Sequence, residues 1–124
     1  MPYTELAKHS MLAKIVGKAT PNAAVTDLSI HTADPGLTGE NEVTGGTPAY
    51  SRVSVTETDF DAPAAGETVL NNDKAFNGPA NEGATHFGIS GTDFLGGGPN
   101  SGDLTFNAEG ELLLKAGTKL DLNA

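Results

Sequence analysis

Beyond Val16 the apolar residues recur in short alternating runs, each soon interrupted by glycine or proline. In Ala24 to Thr32, Leu28 and Ile30 share one face while Asp27, Ser29 and His31 share the other. In Ala49 to Thr58, Val53 and Val55 alternate with outward Arg52, Ser54 and Thr56. Period-two alternation belongs to strands, and glycine and proline supply the backbone angles that turns between strands need. Ala84 to Ser90 repeats the pattern: Phe87 and Ile89 share a face, and Gly88 opposite them permits close backbone approach. Shorter strands are expected at Thr68 to Leu70, Lys74 to Asn77, Phe94 to Leu95, Leu104 to Phe106, Glu111 to Lys115 and Thr118 to Leu122, with Leu120 and Leu122 inward in the last. Gly96-Gly97-Gly98 reads as turn residues tolerating positive φ.

Thr4 to Val16 is the exception and predicts a helix. Thr4 is a capping residue, Glu5 puts negative charge in the first turn, and Gly17 is placed to stop it. Ala7, Met11 and Ile15, extended by Leu12 and Val16, form its expected buried face, with Glu5, Lys8 and Lys14 toward water. Lys18 to Ala23, containing Pro21, reads as a connection. About eight short strands, one helix, no repeat and no βαβ rhythm imply a mainly β chain. The expected fold is an antiparallel β-sandwich or jelly-roll-like domain with one N-terminal α-helix, a single domain over residues 1–124 (helix 4–16, sandwich 24–123).

Composition excludes several functions. The net charge is −9, with only seven scattered Lys and Arg residues. Nucleic-acid affinity comes mainly from cations neutralising phosphates, so nucleic acid is not an expected partner. Without cysteine there are no disulfides, thiolate metal sites or thiol nucleophiles. No apolar run approaches membrane-spanning length, and the first residues lack a signal peptide's basic start and apolar centre, so synthesis in a cytoplasm and no membrane partner are expected.

The stretch with the most specific content is Ser29 to Arg52, a strand, a loop of about sixteen residues (Ala33 to Pro48) and a second strand. Loops of that length are usually functional or pinned by their own contacts. Asp34-Pro35-Gly36 and Gly45-Gly46 are turn signals. His31 and His86 fall opposite the large apolar residues of their strands and can be neighbours, which with Asp34 would suggest a metal site, but His31-x-x-Asp34 is a weak pattern, and both read instead as polar residues at solvent or an interface. Asp34, Glu40, Asn41 and Glu42 offer oxygen ligands without the spacing of a calcium loop, so no metal and no cofactor are expected. Gly88-Ile89-Ser90-Gly91-Thr92 is not a nucleophile elbow, Gly96-Gly97-Gly98 lacks the Lys-Ser/Thr of a phosphate cradle, and no catalytic residue is assigned. Tyr50 and Arg52 lie two apart and project from one face. Arg52, the single arginine, is expected to pair with Glu40 or Glu42 and fix the loop, or to meet a partner. His31, Asp34, Glu40, Glu42, Tyr50 and Arg52 are therefore the candidate partner-binding or loop-fixing residues.

His31-Thr32-Ala33-Asp34-Pro35-Gly36, then Thr38-Gly39-Glu40-Asn41-Glu42-Val43, Gly45-Gly46 and Tyr50-Ser51-Arg52, resemble a family of small tailed-phage virion proteins. Thr85-His86-Phe87-Gly88-Ile89, Asn107-Ala108-Glu109-Gly110 and Lys115-Ala116-Gly117 are similar to further segments of that family, whereas Thr58 to Asn81 departs from it. The resemblance implies a non-enzymatic virion structural protein of a tailed bacteriophage. A capsid decoration or cement protein on the outer capsid surface is the first expectation, its partners being the major capsid protein and copies of itself, as in a homotrimer. A tail-fibre or tail-tip protein that binds the host surface is the alternative.

Overall fold

The computed structural model describes residues 3–19 and 24–121. Helix α1 (Glu5–Ile15) is followed by strands β1 (Asp27–His31), β2 (Val53–Ser54), β3 (Glu67–Val69), β4 (Lys74–Asn77), β5 (His86–Ser90), β6 (Phe94–Pro99), β7 (Glu111–Leu114) and β8 (Lys119–Asp121), with a 3₁₀ turn at Glu57–Asp59. The strands form a four-stranded sheet in the order β2-β1-β5-β6 and two two-stranded sheets, β3-β8 and β4-β7. Every pairing is antiparallel. The chain is thus mainly β with one N-terminal helix. Leu122 and the connection at residues 20–23 lie outside the described residues.

The sheets share one core. Leu28 stands opposite Ile89 and Ile30 opposite Phe87 on one face of the large sheet, and they join Phe76, Leu112 and Leu114 of the β4-β7 pair in a single buried cluster. Burying each such side chain contributes roughly 1.5–3 kcal/mol. This sandwich-like packing follows from the alternation of the sequence, in which inward residues of facing strands meet.

Helix α1 keeps its expected ends. Thr4 Oγ1 accepts from the Ala7 N–H at 3.1 Å. At the other end Lys18 N–H reaches Ala13 O and Gly17 N–H reaches Lys14 O, a closure that Gly17, at φ +76°, is suited to make. The expected buried face is met only in part: Ala7 is buried and Met11 packs partly buried against the core, but Ala13 is buried as well, whereas Leu12, Ile15 and Val16 are 63%, 78% and 66% exposed. The cause is the anchorage of the preceding residues. Thr4 N–H donates to Leu95 O and Tyr3 bridges to Gly96, so the chain enters the helix already bound to the β6 edge. That fixes a rotation in which small side chains face the body. Between the helix and the β3-β8 pair lies an apolar groove of about 360 Å³, lined by Ala7, Met11, Ile89, Leu95 and Leu120 among others.

Three other expectations are corrected. The second strand is expected over Ala49 to Thr58, but β2 is only Val53–Ser54: after one further bond, Val55 N–H to Thr26 O, Asp59 Oδ2 accepts the Thr56 N–H and turns the chain into the 3₁₀ segment. Leu104 to Phe106 makes a single bridge through Thr105 in place of a strand. Gly96-Gly97-Gly98 is the middle of β6, not a turn. A Cβ on Gly97 would collide with Pro35 and with the Phe87 carbonyl, so glycine is needed here for close approach, without positive φ.

Candidate functional site

The second face of the large sheet carries the loop. Across three strands Ser29 stands opposite Gly88 and Gly88 opposite Gly97. This row is almost bare of side chains, and a Cβ on Gly88 would lie within 2.8 Å of Ser29 Oγ, His31 Nε2 and Phe94 Cε1. The loop settles into the space so left: Pro35 is buried over Gly97 and Gly39 lies against the Phe94 ring. His31 meets Phe94 edge to face, ring centroids 6.0 Å apart.

His31 is 1% exposed, which corrects its expected place at solvent or an interface. The strand that carries it is covered on both faces, by the core on one side and the loop on the other. Its Nδ1 is 2.7 Å from Glu40 O and its Nε2 is 2.8 Å from Ser29 Oγ. A carbonyl only accepts, so Nδ1 carries the proton and Nε2 accepts from the serine hydroxyl. Burial pushes the imidazole pKa below its usual value, opposed by the bond to Glu40. His86 is its cross-strand neighbour, but its Nδ1 is bonded to Thr85 Oγ1 at 2.8 Å. Among the described residues no group of three His, Asp or Glu side chains is arranged to hold a metal ion.

The return of the loop is bonded along the open edge of β1, beyond the two residues of β2. Thr32 N–H donates to Asn41 O and Val43 N–H to Ile30 O, while His31 and Glu42 form a bridge. Ile30 N–H donates to the Tyr50 hydroxyl at 3.0 Å, so a side chain takes the position of a missing strand's carbonyl. The same hydroxyl donates to Glu42 Oε2 at 2.8 Å. Arg52 closes the arrangement with two bonds to the carboxylate, Nε to Oε2 at 2.9 Å and an Nη to Oε1 at 2.8 Å. The Tyr50 ring stacks on Phe76 of the core, centroids 6.5 Å apart and planes 14° apart. Arg52, then Tyr50, holds the Glu42 carboxyl below the usual range against the opposing effect of burial. Burial pushes the Tyr50 hydroxyl well up, and the bond to Glu42 raises the Arg52 guanidinium.

Of the six candidate residues the structure therefore brings together Glu42, Tyr50 and Arg52 directly, with His31 alongside. Glu40 contributes its carbonyl, and its side chain is exposed. Asp34 is exposed at the turn, where its Oδ1 accepts from Gly36 N–H at 2.9 Å. Ser29, Pro35, Gly88, Phe94 and Gly97 also belong to the site. The signal for them was glycine in two successive strands beneath a buried proline, legible only once the strands are placed side by side.

The family model described as Podophage GP4 fiber I protein gp80 matches residues 3–111, a span that includes the helix, the large sheet and the whole loop. No curated protein was found to match the chain.

Proposed function

The chain belongs to the Podophage GP4 fiber I protein gp80 family, and from that premise we propose that it is a non-enzymatic structural subunit of a tailed phage's fibre, presenting the Asp34 to Glu42 loop as a preformed contact surface. The match over residues 3–111 carries the reading: the family's description names a fibre, which favours this placement over the capsid surface. The loop's chemistry supports a mechanical role. Both His31 nitrogens and both Glu42 oxygens are bonded within the chain, so the imidazole and the carboxylate at the base of the loop are engaged as ties. What the arrangement does is hold Asp34, Leu37 and Glu40 outward on a fixed backbone.

Antibody labelling of intact particles, with copy number from quantitative mass spectrometry, tests the placement. Label at the fibres and a copy number far below that of the major shell protein are expected. Label spread over the head at hundreds of copies would overturn the fibre reading in favour of capsid decoration, and absence from the particle would overturn both.

A further inference from the structure

We infer that α1 is one half of a head-to-tail contact between copies of this chain, the other half being the acidic loop around Leu37 of a second copy. The large apolar residues exposed among the described residues are Leu12, Ile15, Val16, Leu37 and Leu104. The first three form a patch at i, i+3 and i+4 on the outer side of one helix, and Ile15 follows Met11 by one turn, so the patch is continuous with the groove that Met11 lines. Leu37 and Leu104 stand apart in acidic loops.

The charge divides with them. Lys8, Lys14 and Lys18, three of the seven basic residues, lie on or just after α1 with only Glu5 against them. The first nineteen residues thus carry +2, leaving −11 for the remainder of a chain of net −9. A symmetric helix-to-helix contact would bring two basic rims together, whereas contact with the body of another copy joins opposite charges around apolar centres. Leu37 is the better seat. It is 58% exposed, Asp34 and Glu40 flank it, and neither is paired with a cation among the described residues. Leu104, by contrast, has a single carboxylate within three residues, Asp103, which accepts from the Leu113 N–H at 2.9 Å. The loop is rigidly held at both ends, so docking there orders little that folding has not already ordered. A contact of this directional kind closes into a ring or propagates as a filament, and it rests on the surface alone, wherever in the particle the protein sits.

Sedimentation velocity and light scattering on the purified chain across concentration test it. Expected are association that weakens as salt rises, and at least tenfold weakening by Ile15→Asp or by Leu37→Asp. Both positions are exposed, and circular dichroism checks that each variant is folded. Mixing the two variants is decisive: the helix of Leu37→Asp and the loop of Ile15→Asp are both intact, so the mixture should form one-to-one pairs that neither variant forms alone. A chain that stays monomeric at all concentrations would overturn the inference. So would a Leu37→Asp variant that associates like the parent, or a mixture that yields no pairs.

Discussion

Removing one oxygen, by Tyr50→Phe, is the most informative perturbation of the loop. Phenylalanine keeps the ring and its stacking on Phe76, so the change isolates the hydroxyl. That hydroxyl accepts from Ile30 N–H at 3.0 Å and donates to Glu42 at 2.8 Å. Ile30 is 0% exposed, so water cannot replace the lost acceptor, and an orphaned buried donor costs roughly 1–3 kcal/mol. The lost bond to Glu42 adds roughly 1 kcal/mol, at the low end for a charged acceptor because Arg52 still holds that carboxylate. The total is about 2–4 kcal/mol, or about 10 °C in Tm for a chain of this size. Arg52→Ala should cost less, roughly 1 kcal/mol, because its side chain is 45% exposed and water and salt screen such a pair. Urea unfolding and thermal melts of the two variants measure the order, and amide exchange at Ile30 should accelerate in Tyr50→Phe. A Tyr50→Phe variant melting within about 2 °C of the parent, or one more stable than Arg52→Ala, would refute the reasoning.

Stability should fall steadily as pH drops from 7 to 3. Burial holds His31 below its usual 6.5, so the unfolded chain takes up a proton first and the contribution fades as pH falls through 6.5 and below. Glu42 and Asp59, held below their ordinary 4.5 and 3.8 by Arg52 and Lys74, add a second decline in the carboxylate range. His31→Gln should abolish only the first step, and a parent profile flat between pH 7 and 5 would contradict the assignment. Gly97→Ala should lift Pro35 off the sheet at a cost of roughly 1–3 kcal/mol, read as faster amide exchange across Thr32 to Val43. Lys74→Ala should cost roughly 2 kcal/mol, because Lys74 and Asp59 form a 2.9 Å pair with side chains only 18% and 15% exposed. An unchanged urea midpoint would show that the pair carries no stability.

What the sequence made legible was whatever depends on neighbours along the chain. The strands of Lys74 to Asn77 and Glu111 to Leu114, the capping by Thr4 and the stop at Gly17 need only local pattern. The same holds for Tyr50 and Arg52 sharing a face, since two residues apart on extended chain suffices. What stayed hidden depends on a third element. The orientation of α1 is set by Tyr3 and Thr4 pairing along β6, which a helical wheel does not contain. His31 looks solvent-facing by alternation, yet a loop nine residues further on covers it. The three glycines of β6 look like a turn until Gly97 is set beside Gly88 and beneath Pro35.

The way the loop is tied has an evolutionary corollary. Its fixed points, His31, Pro35, Glu42 and Tyr50, are all set by the sheet, whereas Leu37 and Thr38 at the crest are exposed and bear no burden in folding. On the proposed contact role, substitutions at the crest would alter what the loop meets without unsettling the fold beneath it. If copies meet there as inferred, a change at Leu37 would shift self-association as well, while Gly36 and Gly39 on either side, at φ +62° and +77°, hold the crest in place.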